Sequence, residues 1–460
     1  MKYLMKKVWT VSFVLILSGL FIQPKLIAQI QTTVMPKIGF EERIEKAVNN
    51  IRIIDTHEHL RTEVGVMGDS TYDFFFIFRQ YINYDLISAG MPKSVYRKLN
   101  NKSIPLTERW EMFKPYWEAT RTTAYGRVPL IVANDLYGIP DINDNTYLEL
   151  SEAISDSMQW GWYNHVLKDK AKIDISILDR RHKRFSKDLF RHVERFDDFI
   201  YVFTFPEITK LGEKYGIEIK SLDDFVSALH SAFQAGLDYE MIGVKSGLAY
   251  FRTIKYDKVS KEKAEKIFEK IASRDSSQSP LDFENVKPLQ DYMMHRLLDL
   301  VDKYDIPFQV HTGLQTGSGN NILNSKPTLL NNLFHEYPGV KFCIFHGSYP
   351  YGGELSVLAK NFPNVYVDMC WLYVISPSYA ERYLHEWIET VPANKIMAFG
   401  GDYITVEDIY AHSVIARRVI TKVLTEKVAS GYMTEKEAIG VAKRILRKNA
   451  IEIFKLNDLK

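Results

Sequence analysis

The residues best placed to do chemistry are histidines and carboxylates standing at the ends of short apolar runs. The run IIDTHEHL carries His57 and His59, two positions apart. On a strand, side chains at i and i+2 face the same way, so both imidazoles can converge on one ion. Alone the pair says little: with 12 histidines in 460 residues, chance supplies about 0.3 such pairs per chain. Position strengthens it. His311 closes IPFQVH, His346 closes KFCIFH, and Asp402 follows IMAFGG. Core packing does not call for five such side chains at four run ends, whereas a divalent metal takes neutral imidazole and carboxylate as donors. Lys245 ends MIGVK, where an ammonium would bind an anionic substrate group or pair with a carboxylate. Unmodified, its pKa of about 10.4 makes it a poor ligand. Arg252, seven residues on, either holds a substrate carboxylate in a two-pronged grip or lies on an exposed loop. Trp371 and Tyr373, with Tyr349 and Tyr351, either stack on a substrate ring or close the mouth of the site.

The elements that must position these groups are eight apolar runs: 51–55, 173–178, 199–205, 241–245, 306–311, 340–346, 365–369 and 396–400. Continuous apolar runs suit strands buried on both faces, as in a parallel sheet wrapped by helices. Helical periodicity is legible between them. Leu222, Phe225, Val226, Leu229 and Phe233 share one face, with Ser221 placed as N-cap and Gly236 as a stop. A second helical stretch, Leu289 to Tyr304, precedes the fifth run. Eight strands alternating with helices predict an α/β fold, a (β/α)8 TIM-type barrel whose C-terminal strand ends carry the site. A minimal barrel takes about 250 residues, so the surplus sits in insertions. The longest, 58–172, is expected as a helical cap after the first strand. Residues 274–280, RDSSQSP, read as an exposed loop. Cys343 alternates with His346 and is expected to face the helices; Cys370 reads as a small buried apolar residue.

Composition bounds the partners. The 59 basic and 57 acidic side chains nearly cancel, so no bulk field draws the chain to nucleic acid or anionic lipid. Two cysteines are too few for a disulfide scaffold or a Cys-rich zinc module. At the start, MKYLMKK precedes an uncharged run from Val8 to Ile22, and Ala28 precedes a cleavage bond. That order is a secretory signal, 1–28, leaving 29–460 as a periplasmic or secreted protein without stable membrane insertion.

His57, His59, His311, His346 and Asp402, in barrel order, resemble the amidohydrolase superfamily in its amidohydrolase-related branch, with some similarity to uronate isomerases through the long insertion after IIDTHEHL. The resemblance implies a divalent metal, Zn2+ and one ion in preference to two, held by His57, His59, His311 and Asp402. It implies Asp402 and His346 as catalytic residues, and at Lys245 the lysine that, when carboxylated, bridges two metals in binuclear relatives. Arg252, Trp371 and Tyr349 stand as substrate contacts. The implied activity is hydrolysis of a C–N or C–O bond of a small molecule by metal-bound hydroxide. A uronate isomerase-like reaction or a non-oxidative decarboxylation would use the same cage, and a degenerate metal-containing binding protein is the reading outside enzymes. Homo-oligomerisation is left open.

Overall fold

Eight short strands form the centre of the protein: β1 Ile53–Glu58, β2 Ile173–Leu178, β3 Phe190–His192, β4 Val244–Ser246, β5 Phe308–Val310, β6 Phe342–Ile344, β7 Val365–Asp368 and β8 Ile396–Met397. The computed structural model describes residues 39–67, 72–179, 185–274 and 278–459. The signal-type segment 1–28 lies outside them, as do positions 275–277 of the expected loop. Pairing is parallel throughout, in the orders β1-β2-β3 and β4-β5-β6-β7-β8. Backbone bonds continue across both joins. Lys245 N donates to Glu194 O (2.9 Å) between β3 and β4, and Thr56 N donates to Phe399 O (3.1 Å) between β8 and β1. The result is the expected (β/α)8 barrel. Its strands are nearly all buried because helices cover the outside and side chains fill the inside.

Seven of the eight strands fall on or beside the apolar runs. The third does not. Residues 199–205 instead finish the short helix Asp197–Ile200 and lead into the helix Phe205–Lys214. The true β3 is the less apolar FRH, hidden in the sequence by Arg191 and Glu194. Phe199 packs on Phe225 (5.8 Å between ring centroids), so the aromatic run serves helix packing. The helix Leu222–Asp238 does start at Ser221, whose hydroxyl accepts from Asp224 N. It runs through Gly236, however, and Gly236 is needed for close approach: a Cβ there would stand 2.5 Å from Met241 Sδ.

Cys343 also differs from expectation. Lys245, Gln309 and Cys343 are register partners, and such a row shares one face. Gln309 Nε2 reaches Thr56 O across the barrel (2.9 Å), so the row points inward. Alternation counted from His346 fails because His346 lies beyond the strand in a left-handed conformation (φ 62°).

Residues 58–172 contain the helices Ile82–Ser88, Lys93–Leu99, Leu106–Thr120, Ala124–Tyr137 and Tyr147–Ser157. Their aromatic core includes Phe74, Phe78, Trp110, Phe113 and Trp117. Gln80 and Tyr81 from this segment donate to the carbonyl of Asp402. Among the described residues no helix is long and apolar enough to cross a membrane.

Candidate metal centre

At the C-terminal ends of β1, β2 and β8, four side chains converge. His59 Nε2 lies 3.0 Å from Asp402 Oδ1, and His57 Nε2 lies 3.8 Å from the same oxygen. On the other side Asp179 Oδ2 stands 3.4 Å from His57 Nε2 and 3.7 Å from His59 Nδ1. His59 turns Nδ1 to Asp179 and Nε2 to Asp402, and one imidazole gives one nitrogen to an ion. The donors that fit a shared cation are therefore those of His57, His59 and Asp179, while Asp402 stands on the other side of His59 and groups with His346 and Cys370. His57 supports the fit: it is fully buried, its Nδ1 has no hydrogen-bond partner, and its Nε2 faces the Asp179 carboxylate and the Lys245 amine, each at 3.4 Å. A buried imidazole this poorly satisfied is costly unless it serves a ligand. Burial first, then the charge of Lys245, push the His57 pKa down to about 4 despite Asp179, leaving the neutral form that binds metals.

Asp179 was not singled out in the sequence, although it directly follows IDISIL as Asp402 follows IMAFGG. Arg195, just beyond β3, grips it: Nε donates to Oδ1 and Oδ2 at 2.9 and 3.0 Å, and Nη2 also reaches Oδ2. Burial alone would raise the Asp179 pKa, but His57 and this grip hold it well below the usual carboxylate range. For Asp402 burial likewise acts upward and is outweighed by the hydrogen bond and charge of His59, then by His346 and His57. The Asp402 backbone is pinned as well. Its N donates to His57 O (2.9 Å), and its carbonyl accepts from Gln80 Nε2 (2.9 Å) and Tyr81 OH.

His311 and His346 form a dyad beside this cluster. His346 Nε2 lies 2.9 Å from His311 Nδ1, His346 Nδ1 lies 3.0 Å from Cys370 O, and His311 Nε2 lies 2.9 Å from Leu314 O. The two carbonyls accept only, so each outer nitrogen must carry a proton. Two neutral imidazoles have no proton left for the link between them. The dyad therefore has a place for one extra proton between its rings. His311 Nε2 is thus committed to Leu314 O and its Nδ1 faces His346, and Asp179, not His311, supplies the third donor beside His57 and His59. Burial lowers both imidazoles, His346 to about 3.

Lys245 is buried against the ring of Phe345 (3.8 Å from Nζ to the centroid), and burial lowers its pKa. Cys370 offers its sulfur near His346 and Asp402, but burial raises its thiol pKa, so the neutral thiol is a weak donor. Arg252 does not belong to the site. It is 2% exposed, donates to Gln290 Oε1 (2.8 Å) and Asp291 Oδ1 (2.6 Å), and fills the space beside Tyr256 and Phe283. Tyr373 is core, its hydroxyl on Met369 Sδ. Tyr349 packs on Tyr379 (4.6 Å). Trp371 does reach the site, edge-on to His346 (5.1 Å) and stacked on Tyr81 (4.5 Å). It also walls a cavity of about 430 Å³ with Tyr84, Asp85, Tyr125 and the strap 314–319.

The comparisons agree with this architecture. Residues 275–456 match the family model described as Amidohydrolase. Protein fluG of Emericella nidulans is 30% identical over 229 residues, which is 48% of this chain but 26% of that protein. The chain thus spans about a quarter of the curated relative that it matches. The glucuronate isomerase of Caulobacter crescentus superposes with a TM-score of 0.75 at 17% identity, over 92% of this chain and 95% of that one. The uronate isomerase of Thermotoga maritima superposes with a TM-score of 0.73 at 17% identity, over 90% and 97%. At such identity the likeness is one of fold. Residues 275–456 are thus similar to the family described as Amidohydrolase, and the chain shares the (β/α)8 fold of these isomerases.

Proposed function

We propose that the protein is a metal-dependent hydrolase of a C–N or C–O bond in a small molecule. The observation that carries the reading is the convergence of donor atoms from His57, His59 and Asp179 at the strand ends, with Asp402 Oδ1 3.0 Å from the other nitrogen of His59. His57, His59 and Asp179 would hold one Zn2+ ion with Asp402 beside it. Bound there, the ion would supply Lewis-acid polarisation and acidify a coordinated water. Asp402 starts ionised and acts as the proton acceptor. The His311–His346 dyad takes up one proton between Nδ1 and Nε2 and returns it to the leaving group. Trp371 and Tyr81 keep bulk water off this pair, and Lys245 holds positive charge beside the reacting oxygen.

The shared fold alone does not choose hydrolysis over uronate isomerisation or decarboxylation; the match of residues 275–456 to the model described as Amidohydrolase supports hydrolysis. We also propose export, on the signal-type order of residues 1–28. The test of function is metal analysis of the purified protein, then a panel of amides, lactones, esters, uronates and aromatic carboxylates. Hydrolysis products lost with the metal support the reading. Aldose–ketose interconversion or carbon dioxide release overturns it.

A further inference from the structure

The cavity beside the site has a chemistry of its own. Its wall is joined to the dyad and to Asp402: Trp371 lies against His346, Leu314 O accepts from His311 Nε2, and Tyr81, stacked on both Trp371 and Tyr125, donates to Asp402 O. At about 430 Å³ it is within the range of small-molecule pockets. Among the described residues that line it, Asp85 is the only charged one. Asp85 Oδ2 accepts from Thr123 Oγ1, which caps the helix Ala124–Tyr137, and no lysine, arginine or histidine pairs with it among the described residues. Beside it stand the near-parallel rings of Tyr125 and Trp371, 6.2 Å apart and inclined by 16°. Gln315 is 4% exposed and its Nε2 donates to Ala249 O, so it shapes the wall from behind.

A carboxylate without a cationic partner beside aromatic rings makes a wall that attracts positive charge. We propose that this cavity binds a primary ammonium group of the substrate, so that the hydrolase acts on a small amine-bearing molecule whose scissile bond lies over His57, His59 and Asp402. The specificity claim rests on the hydrolase reading; the binding claim does not. A neutral or anionic group here would leave Asp85 without a counter-charge. An ammonium with three N–H donors can engage Asp85 and still face a ring.

The test uses benzylamine and its neutral analogue benzyl alcohol, titrated by calorimetry into the full-length protein before and after metal removal with a chelator. Benzylamine should bind at least about tenfold more tightly than the alcohol, with or without metal. Asp85→Asn keeps an oxygen for Thr123 and removes only the charge. It should abolish that preference without shifting the melting temperature by more than a few degrees. No benzylamine binding, equal binding of the two probes, or a preference that survives in Asp85→Asn overturns the proposal. Benzylamine binding by a protein that hydrolyses nothing in the panel would refute the hydrolase and leave the ammonium pocket standing. Hydrolysis without benzylamine binding would do the reverse.

Discussion

Replacing Asp179 by asparagine separates the donor set seen in the structure from the one the sequence offers. The amide is isosteric and still accepts from Arg195, so the local shape should hold while one negative charge and one strong donor disappear. Loss of a group that merely orients a metal ligand costs 10–100-fold in affinity. A carboxylate 3.4 Å from His57 Nε2 and 3.7 Å from His59 Nδ1 should cost at least that much. The expected loss is about 1.4–2.8 kcal/mol of binding or more. Folding stability should fall less than the ~3–5 kcal/mol of a fully buried broken pair. Arg195 has a side chain 40% exposed and retains Asp197 at 3.9 Å, so about 1–2 kcal/mol is expected. Metal affinity is read by competition with a chromophoric chelator, and stability by calorimetry of the metal-free protein. The control is His311→Ala, which should keep metal affinity within a few-fold because His311 does not group with the donors of His57, His59 and Asp179. If Asp179→Asn binds metal like the wild type and His311→Ala loses it, the donor set is the one read from the sequence and the argument fails.

Four other outcomes are expected. Asp402→Asn should lower turnover by ~10²-fold or more while metal content falls less, and near-full turnover at full metal occupancy would remove Asp402 as the base. Arg252→Met should cost ~1–3 kcal/mol of stability, because Asp291 loses one buried partner but keeps Lys287, while kcat/KM of the folded fraction holds; a native melting temperature with a raised KM would return Arg252 to the site. Burial pushes the Asp368 carboxyl up to about 7. The native state therefore keeps a proton that the unfolded chain releases near pH ~4, and this contribution is lost as pH rises toward ~7. Asp368→Asn keeps an oxygen for Thr56 and Cys370 N, so its melting temperature relative to wild type should climb over that window and then level; a constant difference rules the account out. Protein from a soluble periplasmic fraction should begin near Gln29, and an intact Met1 on cytoplasmic protein would dismiss the export proposal.

The legible part of the site was legible for a physical reason. His57, His311, His346 and Asp402 each terminate or follow an apolar run, and a polar group at the end of a buried parallel strand stands at the barrel mouth. Asp179 carried the same signal after IDISIL. Arg195 did not, because β3 is a three-residue strand of mixed polarity and the nearby aromatic run resembled a strand more closely. Arg252 was misread for the opposite reason: its sequence neighbours look like a loop, yet residues 38 and 39 positions further on bury it. Gln80 and Tyr81 could not have been found. They act across more than 320 residues on a backbone carbonyl, and no local pattern encodes such a partner.

Backbone conformation explains why strand alternation stops being a guide just where the chemistry begins. His346, Trp371 and Asp402 have φ of 62°, 64° and 63°, and each follows a barrel strand. For a residue with a Cβ the left-handed region costs about 1–2 kcal/mol, so such a cluster must be over-determined by its surroundings. The bonds are there. Trp371 N donates to Gly400 O (2.9 Å), Asp402 is held at both N and O, and His346 Nδ1 meets Cys370 O. Gly347 (φ 52°) must be glycine, since a Cβ would come within 2.7 Å of Leu372 and Trp387. Each left-handed turn swings its side chain off the alternating row, taking His346 onto His311 and Asp402 onto His59. The strain thus sets both contacts. Gly347→Ala, which touches no ligand, should consequently disturb the histidine dyad before it disturbs metal binding.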